Sequence, residues 1–292
     1  MKTITLGVDL AAPNVVLGLM RISKMSDEAV RELVGTARDA GIDFFDHADI
    51  YGDELHGCER RFAEAMQLTP SEREQVTIQS KAGIVKDGPY FDFSYEHLVE
   101  AVDGSLRALQ TDYLDVLLLH RPDALVEPDE VARAFDELEA SGKVRAFGVS
   151  NHTPAQVMAL QAHLPIEIVT TQPEFSAASL TALRDGTLDQ AMELGLTTLA
   201  WSPLGGGRLG DGGGAGVRPE LIAALDRLAE REGAERAAVA LAFVLCHPAS
   251  PVPLIGTQQP ERIKAAVAAL HVRLDRRDVY EIVQASDGAP LP

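Results

Sequence analysis

Cysteine is nearly absent from this 292-residue chain: Cys58 and Cys246 stand far apart, with no Cys-x-x-Cys pair and no mixed Cys/His spacing. That excludes a disulfide framework and a structural zinc site, and it fits a reducing compartment. Basic residues are scarce as well, 26 Lys and Arg against 44 Asp and Glu, for a net charge of −18. A field of that sign repels polyanions, so neither nucleic acid nor an anionic membrane is an expected partner. No uncharged apolar run approaches the roughly 18 residues of a membrane helix. Asp9, Pro13 and Asn14 interrupt the opening MKTITLGVDLAAPN where the apolar stretch of an export signal would lie. A cytoplasmic protein is the expectation. Aromatic residues make up only 5% of the chain, with a single tryptophan, Trp201.

What is present is an apolar fraction of 46%, enough for a sizeable core, arranged in a repeating strand and helix rhythm. Short β-branched or Leu-rich runs fall at 15–20, 42–48, 76–82, 113–120, 144–150, 166–172, 196–202 and 252–256. Helical patterns separate them at 26–41, 59–67, 94–109, 128–142, 153–163 and 187–194, then at 219–232, 235–246 and 260–269. Ser26, Ser94 and Thr153 are placed as N-caps, Gly41 and Gly142 as helix stops, and Glu127, Asp129 and Glu130 as a first-turn acidic cluster. Met158, Leu160, Phe243 and Val244 fall at helical spacing and are expected in the core. Eight such units, with no linker or repeat between them, predict one domain over 1–292 built as a closed (β/α)8 TIM barrel. Residues 2–10 are expected to form a hairpin across the barrel bottom and 275–286 an extra C-terminal helix.

Active sites of such barrels form at the strand C-termini. The polar residues there are Asp46, His47, Asp49 and Tyr51 after the second strand, Lys81 after the third, and His120 and Arg121 after the fourth. Ser150, Asn151 and His152 follow the fifth, Gln172 and Glu174 the sixth, and Trp201 and Ser202 the seventh. Asp46, Tyr51, Lys81 and His120 make a coherent proton-donating set. An ammonium beside a phenol lowers its pKa toward neutrality, a carboxylate holds the ammonium, and an imidazole can orient a substrate carbonyl.

GIDFFDHADIYG (41–52), TIQSKAG (77–83), DYLDVLLLHRPD (112–123), GKVRAFGVSNHTPAQ (142–156), TTQPEF (170–175), LAWSPLGGGRL (199–209) and VPLIGTQQPERIKAAV (252–267) together resemble the aldo-keto reductases, block by block and in order. The resemblance runs over roughly 14–286. It implies a catalytic tetrad of Asp46, Tyr51, Lys81 and His120, a nicotinamide dinucleotide cofactor (NADPH, with NADH as a secondary possibility), no metal, and a small-molecule carbonyl substrate reduced to an alcohol. It places Ser150, Asn151 and Gln172 at the nicotinamide carboxamide and Trp201 on the nicotinamide ring. Gly18, Met20 and Arg21 fall beside the cofactor. Ser202, Pro203, Leu204, Gly205, Gly207 and Arg208 after the seventh strand, with Gly256 and Thr257 after the eighth, match the phosphate-binding positions. Gln258 and Gln259 replace basic residues common near the adenosine 2′-phosphate, which leaves Arg262 as the guanidinium for that group. Met20 replaces a common aromatic.

Plainer alternatives compete at several positions. Gly205 to Gly210 formally satisfies G-x-G-x-x-G, but more glycines follow where a Rossmann unit needs a helix; 210–216 is expected to be a mobile, lid-like loop. His47, Asp49 and His152 are expected to line or support the pocket. A barrel metallohydrolase using Asp46, His47, His120 and His152 would leave Lys81, Tyr51 and Trp201 without roles. A non-catalytic nicotinamide-binding sensor or accessory subunit would have no need of an intact tetrad.

Overall fold

The computed structural model describes residues 4–6, 10–88, 90–211 and 214–291. The chain opens with an antiparallel hairpin, β1 (Ile4–Leu6) on β2 (Leu10–Ala12), in which Ile4 faces Ala12. The hairpin expected over 2–10 is present, but its second arm runs on to residue 12; residues 1–3 and 7–9 lie outside the described residues. The main sequence of elements then begins with β3 (Val16–Gly18), α1 (Asp27–Asp39), β4 (Phe44–Asp46), α2 (Gly57–Met66), α3 (Pro70–Arg73) and β5 (Thr77–Ala82). A second hairpin, β6 (Ile84–Val85) with β7 (Tyr90–Phe91), leads into α4 (Tyr95–Leu109) and β8 (Val116–Leu119). Next come α5 (Pro128–Ala140), β9 (Phe147–Ser150), α6 (Pro154–Gln161), β10 (Ile168–Gln172), α7 (Thr181–Arg184), α8 (Thr187–Leu194) and β11 (Thr197–Trp201). The chain closes with α9 (Pro219–Glu232), α10 (Arg236–Leu245), β12 (Val252–Ile255), α11 (Pro260–Ala268) and α12 (Arg276–Asp287).

Strands β3, β4, β5, β8, β9, β10, β11 and β12 form a closed barrel in which every neighbouring pair is parallel. The two-residue period of a strand sorts its side chains between two cores. Val16, Phe44, Val116, Leu118, Leu199 and Val252 pack together inside, while Leu17, Phe45, Ile78, Leu117 and Leu119 pack outward against the helices. Extending the alternation one step along β4 turns Asp46 inward, and along β5 it turns Gln79 and Lys81 inward and Ser80 outward. The taper leaves no room at Gly148 on β9, where an added Cβ would lie 2.6 Å from the Thr170 backbone oxygen.

Helix punctuation follows the sequence signals. Ser26, Ser94 and Thr153 accept from Ala29 N, His97 N and Gln156 N, and Gly41 and Gly142 take left-handed φ of 79° and 73°. Met158 departs from expectation: it is 50% exposed, because Val157 and Leu160 are the residues that α6 turns to the barrel. Leu160, Phe243 and Val244 are buried. Among the described residues no helix is long and apolar enough to cross a membrane. Of the loop expected to be mobile over 210–216, residues 212–213 lie outside the described residues; the rest forms turns against α9 and α10.

Candidate active site

The inward ends of β4 and β5 bring Asp46 and Lys81 together at the C-terminal mouth of the barrel. The Lys81 ammonium donates to both Asp46 carboxylate oxygens, at 2.6 and 2.8 Å, to the His47 backbone oxygen at 2.7 Å and to the Tyr51 hydroxyl at 3.1 Å. Asp46 and Lys81 are each 1% exposed. His120, just past β8, sets its ring edge-on to Tyr51, with centroids 5.9 Å apart. The structure thus brings together all four residues of the predicted set.

Their electrostatics differ from the sequence reading in one respect. Burial raises the Tyr51 phenol above its ordinary value, and the Lys81 ammonium opposes that shift without overturning it. The phenol is therefore not tuned down toward neutrality; it is a protonated donor whose anion Lys81 keeps within reach. Burial also works against the Lys81 ammonium, but Asp46 and Tyr51 outweigh it and hold the lysine above its usual value. Burial, then Lys81 and Arg121, push His120 well below the ordinary imidazole value, so it is neutral at physiological pH. Its Nδ1 is buried and without a protein partner.

Two glutamines complete the carboxylate's surroundings. Gln79 Nε2 on β5 and Gln172 Nε2 on β10 both donate to Asp46 Oδ1, at 2.5 and 3.1 Å. Gln79 was not singled out by sequence; its signal is its place two residues before Lys81 on the same inward face. Gln172, expected at a carboxamide, turns its amide nitrogen to Asp46, and its Oε1 takes no part in that contact.

The remaining predicted positions gather around the same mouth. Asn151, in the left-handed region at φ 60°, donates from Nδ2 to Ser150 Oγ at 2.7 Å, and its Oδ1 accepts from Trp201 Nε1 at 2.8 Å. The Arg121 guanidinium lies 5.7 Å from the Trp201 ring centroid. After β11, Ser202 and Leu204 accept from Gly205 N and Gly207 N in tight turns, and Arg208 Nε donates to Gly205 O. Gly205, Gly206 and Gly207 all have positive φ, and added Cβ atoms at Gly206 and Gly207 would meet nothing within 4 Å, so this backbone is open to a ligand. Arg21 donates to Gly256 O and Gln258 Nε2 to Arg21 O, joining the loops after β3 and β12. Thr257 Oγ1 accepts from Gln259 N just before α11, whose first turn carries Arg262. Arg262 pairs with Asp211 at 3.2 Å. Gly18 is a packing position: a Cβ there would lie 2.6 Å from the Leu254 side chain. Met20, Tyr90 and Phe91 are exposed, at 48%, 55% and 42%. Open glycine backbone, a helix start, guanidinium groups and paired amide and hydroxyl groups fit a phosphate-bearing cofactor with a planar carboxamide head.

His47 and His152 are supporting residues. His47 is fully buried against the edge of Phe62, and burial lowers it to about 4. His152 Nδ1 lies 2.9 Å from Ser150 O, its ring stacks on Phe93, and burial takes it to about 4 as well. A metal set from Asp46, His47, His120 and His152 does not assemble: Asp46 is taken by Lys81, Gln79 and Gln172, and among the described residues no cluster of three or more such ligands forms.

Comparison with known proteins identifies relatives of the chain and of its fold. The chain is 44% identical over 266 residues to a 6-dehydroglucose reductase of Novosphingobium aromaticivorans, covering 89% of this chain and 86% of that one. It is 40% identical over 286 residues to the oxidoreductase YdhF of Escherichia coli, covering 95% and 94%. A crystal structure of a thermostable aldo-keto reductase in complex with the inhibitor epalrestat shares the fold, with a TM-score of 0.85 at 24% identity over 98% of this chain and 100% of that one. The Aldo/keto reductase family model matches residues 14–287, and the chain is a member of that family.

Proposed function

We propose that this oxidoreductase reduces aldehydes or ketones to alcohols with NADPH, Tyr51 serving as the general acid. The observation that carries the reading is the contact of the partly buried Tyr51 hydroxyl with the buried Lys81 ammonium, itself locked on Asp46. When bound, the dinucleotide supplies the hydride. Ser150, Asn151 and Gln172 would hold its carboxamide, Trp201 would give a stacking face, the 202–208 turns and the 256–257 loop would take the pyrophosphate, and Arg262 would take the 2′-phosphate.

The protein's own share is proton delivery and charge management. Neutral His120 orients the carbonyl oxygen toward Tyr51. As negative charge develops on that oxygen, the Tyr51 hydroxyl gives up its proton, and the phenolate left behind is stabilised by Lys81 at 3.1 Å. Arg121 adds positive field at both Tyr51 and His120. The names of two relatives, the Novosphingobium protein and a 36% identical one from Agrobacterium fabrum, make 6-dehydroglucose the first carbonyl compound to assay. The test is a panel of that compound with simple aldehydes and ketones, run with NADPH and with NADH. Carbonyl-dependent oxidation of NADPH supports the reading; a folded, cofactor-binding protein that reduces none of them favours the sensor role.

A further inference from the structure

The loop that carries Tyr51 is held on its outer side by a buried polar chain that the catalytic site does not use. Ser80 stands next to Lys81 on β5, and its hydroxyl points out of the barrel, where it donates to Glu59 Oε1 at 2.5 Å. Glu59 sits in the first turn of α2 and is fully buried. Its other oxygen, Oε2, lies 2.5 Å from His56 Nδ1. His56 is in the left-handed region at φ 60°, and its backbone N donates to Asp49 O at 2.5 Å. The next turn of the same segment returns to the proton donor: Cys58 N donates to Tyr51 O at 3.0 Å.

Two more contacts close this bracket. The far edge of the His56 ring rests on α4, where Gly104 makes room: a Cβ at that position would lie 2.3 Å from His56 Nε2. A glycine in the middle of a helix costs roughly 1 kcal/mol against alanine, and the seating of this ring gives it a physical purpose. Across the loop, Lys86 Nζ donates to Gly52 O and Asp53 O, both at 2.8 Å.

We propose that Glu59 is a positioning residue for proton transfer, which fixes the Tyr51 hydroxyl on Lys81 by tying the strand of the ammonium, through Ser80, to the loop of the phenol, through His56. A buried carboxylate is costly to desolvate unless its lone pairs are satisfied. Here they are satisfied by groups from the two elements whose relative placement sets the Lys81 to Tyr51 distance. A misplacement of about 1 Å at a reacting group can cost on the order of 10² in rate.

The inference rests on Tyr51 being the proton donor, and the test separates the two claims. Glu59→Ala, Glu59→Gln, Gly104→Ala and Tyr51→Phe are compared in kcat, in carbonyl KM, in cofactor affinity read from Trp201 fluorescence, and in melting temperature. Glu59→Ala is expected to lower kcat about 10- to 100-fold at 25 °C with cofactor affinity within about twofold, and Glu59→Gln, which keeps an acceptor for Ser80 and a polar partner for His56, to restore most of it. Gly104→Ala keeps every hydrogen-bonding group but displaces the His56 ring; it is expected to lower kcat about 3- to 10-fold. If Tyr51→Phe is inactive while folded Glu59→Ala and Gly104→Ala turn over within twofold of wild type, or lose only melting temperature, the positioning role is refuted. If Glu59→Ala does not fold, Gly104→Ala decides by the same criterion. An active Tyr51→Phe variant overturns the proton-donor reading itself.

Discussion

Replacing Lys81 with methionine removes a charge from a fully buried, closely paired group. Its ammonium makes contacts of 2.6, 2.8, 2.7 and 3.1 Å to Asp46, His47 O and Tyr51, and the residue is 1% exposed. The variant leaves the Asp46 carboxylate buried, with only the neutral amides of Gln79 and Gln172 beside it. Breaking a buried pair by deleting one partner costs about 3–5 kcal/mol, much of it the price of the uncompensated charge. The double variant Asp46→Asn/Lys81→Met, which removes that charge as well, should therefore recover at least about 2 kcal/mol of the loss. Urea unfolding at pH 7–9 reads the whole effect. The folded pKa of Lys81 is raised, so its contribution is fully present below the unfolded lysine value of about 10.4 and is lost only as pH rises through the folded one. Both variants should also lose at least about 10² in kcat, the low end of general-acid contributions. A single variant that loses less than about 1 kcal/mol, or a double no more stable than the single, would show that the pair is not the buried, charge-balanced unit described.

Four further outcomes follow from particular contacts. Trp201 is the sole tryptophan and donates to Asn151, so NADPH should quench the indole emission saturably; a flat titration of folded protein would contradict the placement of the cofactor. Arg262→Leu should weaken NADPH by about 1.5–3 kcal/mol with little effect on NADH. Asp211→Asn, which frees Arg262 from a largely exposed pair worth at most about 1 kcal/mol, should tighten NADPH by no more than about fivefold in fluorescence titrations. Gly148→Ala should destabilise the barrel by roughly 1–3 kcal/mol, because an added Cβ would meet Thr170 Cγ2 at 2.4 Å, the Thr170 backbone oxygen at 2.6 Å and Leu118 Cδ2 at 2.7 Å, and the backbone oxygen cannot turn away; an unchanged urea midpoint would show that β9 and β10 can part.

The barrel and the convergence of Asp46, Tyr51, Lys81 and His120 were legible because they depend on local periodicity and on strand ends. Alternation along IDFFDHA and VTIQSKA is enough to turn Asp46 and Lys81 to one side, and the capping serines and threonine mark where each helix begins. Ser80 and Glu59 carried no such mark. Each acts on a residue distant in sequence, and a glutamate in the first turn of a helix reads as an ordinary dipole partner until its burial is known. The sign of the Tyr51 shift was misread for the same reason: neighbouring charge can be inferred from sequence, whereas desolvation depends on how completely the pocket closes. Short elements such as α3, α7 and the β6–β7 hairpin are too brief to leave a periodic signature.

The central claim, carbonyl reduction with Tyr51 as proton donor, is tested most directly by comparing wild type and Tyr51→Phe for carbonyl-dependent NADPH oxidation, with cofactor affinity measured in parallel from Trp201 quenching. The account predicts that the variant binds NADPH as wild type does and turns over at least about 10² more slowly. Near-wild-type turnover by a folded Tyr51→Phe variant would contradict it.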